Sequence, residues 1–265
     1  MHLLLELRLL KKQKFNYILN CTGDYRENLI GKLIRPKYNI SLKISKNHPV
    51  KKYIKYKYDF LTNHKIEIPN DIINIYDIYN QISVFFNLKR YKIDIGKIKS
   101  NKNNIIGIHP LSNENYKMWE WYKWIKLIEK LHEDKYKIYI FCAPHEEYFI
   151  QDIFSSVLNE DIKISAQDIH GFINKLSEVK LLVGLDSFAV HISYLLNINS
   201  IIINGPVDSE VWKTPLSHVI SNSNICKYYP CKKKVCEGSD IEYQCIKTIE
   251  VYKVYDQIIK CIQNG

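Results

Sequence analysis

Short apolar runs alternate with longer mixed stretches over the second half of the chain, and this pattern predicts strands separated by helices. Leu181-Leu182-Val183 and Ser200-Ile201-Ile202-Ile203 are typical of strands inside a parallel sheet. Residues 188–196, between the two runs, predict a helix. Residues 180–206 are therefore predicted to form a strand–helix–strand unit, which Asn204-Gly205-Pro206 ends with a turn.

The same alternation begins at Asn104 and continues to the end of the chain. We predict further strands at 105–108, 137–141 and 161–165, and helices at 119–131, 143–147 onward, 169–178 and 249–262. Strands that alternate with helices of this length are typical of a doubly wound parallel sheet. The second half is thus predicted to be a Rossmann-like α/β domain.

The first part of the chain has a weaker pattern of the same kind. Helices are predicted at 1–14, 26–34 and 72–88, and strands at 15–21 and 39–44, while 48–65 follows no clear period. Residues 89–103 are polar and rich in lysine, which indicates a domain boundary. We therefore expect a partial N-terminal α/β domain at 1–100 and a C-terminal domain at 101–265.

Polar residues that could carry chemistry follow the predicted strand ends. In a parallel sheet these ends share one edge, where ligands bind. The sets expected there are His109 with Lys117, Glu146 with Glu147, Asp186 with Ser187 and His191, and Gly205 with Pro206. The N–H groups that open the helix after Ser187 would suit phosphate. Taken alone, Asp186 and His191 also fit a helix cap and a packed histidine.

Composition narrows the class of protein. With 265 residues, 46% of them hydrophobic and 25% charged, the chain is typical of a soluble globular protein. The net charge of +10 accompanies a general excess of lysine and tyrosine, so we expect no nucleic-acid partner. The Lys/Tyr run at 51–58 could contact anionic lipid or glycan, or form a solvated face.

The sequence also bears on location. It contains no apolar stretch near the ~18 residues of a membrane span. Residues 1–14 read as an amphipathic helix instead of a signal peptide, and seven cysteines without an export signal favour a reducing cytosol. We expect a cytoplasmic protein that could associate with the inner face of the membrane.

Four of the cysteines cluster in a loop at 226–245. Cys226, Cys231, Cys236 and Cys245 could hold zinc or iron tetrahedrally, although the usual pairing of two cysteines two residues apart is absent. Free thiols or a facultative disulfide are the alternative. No other cofactor is expected.

Five short motifs, in order and in register, resemble one family. They are IGIHP (106–110), Lys117-Met118-Trp119, APHEE (143–147), LDSFAVHIS (185–193) and NGPVDSEVWKTPLSH (204–218). Together they resemble the C-terminal domain of the bacterial lipopolysaccharide heptosyltransferases, glycosyltransferase family 9. Residues 1–100 resemble the second half of that family's N-terminal domain.

The resemblance implies a GT-B architecture of two Rossmann-like domains, and transfer of heptose from ADP-heptose to the lipopolysaccharide core or a related glycan. It implies that Lys117 contacts the donor's phosphates or sugar and that Glu146 or Glu147 lies near the ribose. Asp186 would bind sugar hydroxyls, Ser187 would face the diphosphate, and His191 would lie at the same site.

Departures from the family pattern bear on activity. Phe188 stands where the family usually has glycine, and Leu111 replaces a second glycine. The family's catalytic base is an aspartate after an early strand that we expect this chain to lack, and Asp24 is not expected to replace it. The alternative is a non-catalytic or partner-dependent nucleotide- or glycan-binding remnant. An exposed sheet edge would also make an oligomer possible.

Overall fold

The computed structural model of the chain describes residues 2–21, 24–52, 59–88, 104–231, 236 and 242–263. The chain divides into two compact units, Met1–Tyr91 and Lys92–Gly265. Three sequence-based expectations lie outside the described residues: the turn at Thr22-Gly23, most of the Lys/Tyr run at 51–58, and the boundary segment at 89–103.

The first unit is built on a small parallel sheet. Its strands lie in the order β1-β2-β3, and each pairs in parallel with the next. The elements of this unit are α1 (His2–Lys12), β1 (Tyr17–Asn20), α2 (Tyr25–Ile34), β2 (Tyr38–Lys43), β3 (His64–Glu67) and α3 (Ile75–Phe85). Strand β3 falls at the end of the stretch that we left unassigned, because Ile66 is its one buried residue and leaves no alternation to detect.

Side-chain caps set the helix starts in this unit. The carboxylate of Asp24 accepts the backbone N–H of Arg26 at 2.8 Å, so α2 begins directly after it. Asn74 accepts the N–H of Tyr76 at 2.9 Å, and α3 therefore begins three residues later than the apolar spacing predicts. Wholly buried Ile40, Leu42 and Ile78 form the centre of the core.

The second unit contains a six-stranded sheet in which every pairing is parallel. The strand order is β6-β5-β4-β7-β8-β9, so the chain winds one way from β4 and the other way from β7. The strands are β4 (Ile105–His109), β5 (Lys137–Cys142), β6 (Ile162–Ala166), β7 (Leu181–Leu185), β8 (Asn199–Asn204) and β9 (Ser217–Ser221). Strand β9 was not predicted, because only Ile220 in it is buried.

Helices cover both faces of this sheet, which is why its central strands are apolar throughout. Ile106 and Ile108 pack on the face with α4, α5 and α10, whereas Ile105 and Leu182 pack on the face with α6 and α7. The helices of this unit are α4 (Trp121–Glu133), α5 (Glu147–Phe154), α6 (Ile169–Leu176), α7 (Phe188–Leu195), α8 (Ser209–Trp212), α9 (Gln244–Lys247) and α10 (Val251–Gln263). Among the described residues, no helix is both long enough and apolar enough to cross a membrane.

The segment that precedes α10 is tied to the start of α4. Trp119, which we expected inside the helix, precedes it and is buried, and its Nε1–H donates to the carbonyl of Ile249 at 3.0 Å. Lys123 is also buried, and its ammonium donates to the carbonyls of Ile249, at 3.2 Å, and Lys247. These bonds fix a distant part of the chain beside the turn that carries Lys117.

Candidate functional site

The site lies where the winding of the sheet reverses. Strands β4 and β7 are neighbours, with His109 opposite Gly184 in the register, and their carboxyl ends open a crevice between helices of opposite faces. A cavity of about 630 Å³ occupies this edge. It is lined by His109, Leu111, Ser112, Asn113, Glu114, Lys117, Cys142, Ala143, Pro144, His145, Glu146, Gln167, Asp168, Ile169, Phe172, Asp186, Ser187 and Phe188.

The structure brings Lys117, Glu146, Asp186 and Ser187 together in this cavity. Three other predicted residues lie elsewhere. Glu147 is exposed at the first position of α5, and Gly205 is buried against Ile246 and the carbonyl of Tyr116. His191 is the fourth residue of α7 and does not line the cavity.

An ion pair crosses the crevice from one strand end to the other. Lys117 ends a short turn after β4, and its Nζ lies 2.7 Å from Oδ2 of Asp186, which follows β7. The same ammonium also donates to the backbone carbonyl of Asp186 at 3.4 Å. The side chains are 19% and 16% exposed, so both charges are partly withdrawn from water. Such a pair holds a cation and an acceptor ready for a polar ligand.

His191 lies near enough to this ion pair for both of its charges to act on the imidazole. Burial lowers the pKa of His191, while the carboxylate of Asp186 acts in the opposite direction and the ammonium of Lys117 reinforces the effect of burial. The imidazole is therefore held mainly neutral close to the ion pair. A neutral ring can donate or accept one hydrogen bond without adding a third charge.

Histidine 109 is the most deeply buried polar group of the cavity. Burial lowers the pKa of His109 to about 4, so the ring is neutral at physiological pH. Its Nδ1 lies 3.4 Å from the hydroxyl of Ser187, the residue that precedes α7. Ser187 thus lies between a neutral imidazole and the N–H groups that open a helix.

Glu146 has a structural task as well as a place in the cavity. Its Oε2 accepts the backbone N–H of Ala143 at 2.8 Å and so closes the turn between β5 and α5. A carboxylate has about four acceptor positions, so this bond leaves capacity for a ligand's hydroxyl groups.

Several lining residues were missed by the sequence analysis. Gln167 and Asp168 follow β6, and Phe172 and Ile169 belong to the helix that comes next. The strand-end rule that singled out Lys117 applies equally to the end of β6 and would have found the first two. Whether Phe172 faces the cavity depends on how α6 packs, and the spacing of apolar residues in the sequence does not predict it.

None of the four clustered cysteines lines the cavity. Tyr229 and Cys231 bond to the turn after β8: the backbone N–H of Cys231 donates to the carbonyl of Pro206 at 3.1 Å, and the hydroxyl of Tyr229 donates to the carbonyl of Val207 at 2.8 Å. All four are free thiols. Within the described residues, no group of three or more His, Cys, Asp or Glu side chains is arranged to hold a metal ion.

Comparison with known proteins agrees with this geometry. The family model for glycosyltransferase family 9 (heptosyltransferase) matches residues 10–241, which is most of the chain. The protein therefore belongs to glycosyltransferase family 9. No curated protein matches the sequence.

Solved structures of the same family have a similar fold. E. coli heptosyltransferase WaaC with ADP superposes with a TM-score of 0.71 at 12% identity, over 97% of this chain and 77% of that chain. A family 9 glycosyltransferase from Veillonella parvula gives 0.69 at 12% identity, over 98% and 78%. E. coli ADP-heptose lps heptosyltransferase II gives 0.64 at 12% identity, over 97% and 80%. The fold is thus α/β with parallel sheets and GT-B-like, as the sequence predicts.

The lowered pKa of His109 predicts a specific loss of stability in acid. Below pH 6.5 the unfolded chain binds a proton at this ring that the folded protein binds only near pH 4, so stability falls as the pH is lowered through this window. The contribution between pH 7 and pH 4 is about 3 kcal/mol. In urea unfolding at a series of pH values, His109→Gln should flatten this fall, with a remainder from His191. Equal slopes for the wild type and His109→Gln would contradict the prediction.

The thiols of the cysteine cluster should differ in reactivity. Burial, together with the charges of Cys231, Cys236 and Cys226, raises the pKa of Cys245 to about 12. Because the thiolate is the reactive form, brief alkylation of the native protein followed by peptide mass spectrometry should modify Cys226 and Cys231 well before Cys245. Equal protection of all four thiols, relieved by a chelator and matched by zinc or iron in elemental analysis, would show a bound metal instead.

Proposed function

We propose that the cavity binds a nucleotide-sugar donor and that the protein transfers a heptose from an ADP-sugar to a lipopolysaccharide-core or related glycan acceptor. The observation that carries this proposal is the ion pair of Lys117 and Asp186, placed over the crevice of a doubly wound sheet beside the start of α7. Membership of the family and relatives solved with ADP and with ADP-2-deoxy-2-fluoro heptose support the choice of donor.

Each side chain of the pair has a task in this proposal. The ammonium of Lys117 stabilises the negative charge that develops on the departing diphosphate, an interaction that strengthens as the glycosidic bond breaks. The carboxylate of Asp186 accepts hydrogen bonds from sugar hydroxyls. The neutral imidazole of His191 adds no positive charge that would compete with Lys117 for that carboxylate. No metal is needed for this step, because the lysine supplies the positive charge.

The diphosphate is bound at the start of α7. The helix offers the unpaired N–H groups of its first turn and a partial positive charge, and the hydroxyl of Ser187 adds one more donor. From the turn after β5, the carboxylate of Glu146 offers its remaining acceptor positions to the ribose hydroxyls. The donor is thereby held at both ends, which orients the sugar toward its acceptor.

Binding of the donor is tested by thermal unfolding in the presence of ADP. At one hundred times the dissociation constant, a ligand stabilises the folded protein by about 2.7 kcal/mol, which raises the melting temperature by roughly 5–10 °C. Lys117→Met should weaken ADP binding by about tenfold to a hundredfold, since it removes a charged hydrogen bond. Lys126→Met removes the same charge from the exposed face of α4 and serves as the control. A wild-type protein whose melting temperature does not move at millimolar ADP would contradict the donor site.

A second candidate function, binding without transfer, is favoured by the state of Asp24. Its carboxylate caps α2 and pairs with Arg26 at 2.6 Å, and these bonds lower the pKa of Asp24 to about 2. A carboxylate held in this way is a weak general base.

The two candidates differ in turnover. If the protein is a complete transferase, purified chain given ADP-heptose and lipopolysaccharide core lacking heptose will release ADP and extend the acceptor, and Asp24→Asn will retain that activity. Binding of ADP with no extension of the acceptor, even at high protein concentration, would favour the binding protein.

A further inference from the structure

Three aromatic rings form one wall of the cavity. His109 comes from the end of β4, Phe172 from α6 and Phe188 from the first position of α7. The ring centroids of Phe188 and His109 are 5.8 Å apart with the planes at 89°, and those of Phe188 and Phe172 are 5.2 Å apart at 43°. Contacts of this kind stabilise the rings against one another and hold the wall in place.

Phe188 is the ring of this wall that is open to the cavity. It is 50% exposed, whereas His109 and Phe172 are 7% and 5% exposed. The residues that follow it in α7, Ala189 and Val190, are buried in the core. The Phe188 ring therefore packs on the other two rings and does not fill the space in front of them. The cavity stays open to Ser187 and Asp186. Covering such an apolar surface favours binding.

The cavity has two parts whose linings differ in polarity. Lys117, Asp186 and Ser187 form a charged and polar part, while Phe188, Phe172 and Ile169 form an apolar part. A nucleoside diphosphate is divided in the same way, into an anionic diphosphate and a flat aromatic base. Sites with a largely apolar lining and a few placed polar groups are typical of such ligands.

We propose that Phe188 is a specificity-determining residue whose ring stacks on the nucleobase of the donor. The proposal rests on the proposed function and adds to it a contact that glycine, expected here from the family pattern, could not make. An aromatic ring stacked on a base strengthens binding by roughly 5-fold to 150-fold. A purine presents a larger face than a pyrimidine, so the ring also favours ADP over UDP.

The test measures binding of ADP, UDP and inorganic pyrophosphate by calorimetry. Phe188→Ala should weaken ADP binding by about tenfold or more and reduce the preference for ADP over UDP, while pyrophosphate binding changes by less than about twofold. Phe188→Tyr keeps the ring and should bind ADP like the wild type. Tyr148→Ala, which removes an exposed ring on α5 outside the cavity, is the matched control.

Each other result has a definite meaning. Phe188→Ala that binds ADP as tightly as the wild type, or more tightly, overturns the proposal, and tighter binding would show that the ring obstructs the diphosphate. If Phe188→Ala loses affinity equally for ADP and for pyrophosphate and also has a lowered melting temperature, the proposal is overturned as well, because the ring would then serve only to shape the cavity. Failure of the wild type to bind either ligand refutes the proposed donor site itself, as does normal pyrophosphate binding by Lys117→Met.

Discussion

The pairing of β4 with β7 determines where the chemistry of the second unit can lie. These strands are neighbours in the sheet although their partners along the chain lie on opposite sides of them. The connections that leave them run to helices on opposite faces, so the ends of the two strands are left uncovered. Lys117 follows one strand and Asp186 the other, so the crevice at this reversal brings the two side chains of the ion pair together.

This ion pair is better suited to binding than to stability. Partial burial costs both groups hydration, and the attraction between them returns only part of that cost. A ligand with an anionic group and several hydroxyl groups gives each residue a new partner: the anion pairs with Lys117, and the hydroxyl groups donate to Asp186. The neutral state of His109 and His191 fits the same design, because additional positive charge near Lys117 would have to be compensated.

The sequence was informative where burial on both faces leaves an uninterrupted apolar run. Strands β4, β5, β7 and β8 are of this kind and were predicted to within one or two residues, whereas polar residues interrupt β3 (HKIE) and β9 (SHVIS), which were missed. In the site, the strand-end rule placed Lys117 and Asp186 on one edge. It could not separate Glu146, which lines the cavity, from its neighbour Glu147, because one residue of rotation on a turn decides which carboxylate faces inward. The aromatic wall could not be predicted from the sequence either, because it depends on how α6 and α7 pack against β4.

The bonds from Trp119 and Lys123 to the carbonyl of Ile249 make the last part of the chain a structural support for Lys117. The two segments are far apart in sequence but are joined through one buried carbonyl directly behind the turn that carries this lysine. Because both donors bond main-chain carbonyls, this support depends on the path of the backbone just before α10 and not on which side chain stands at position 249.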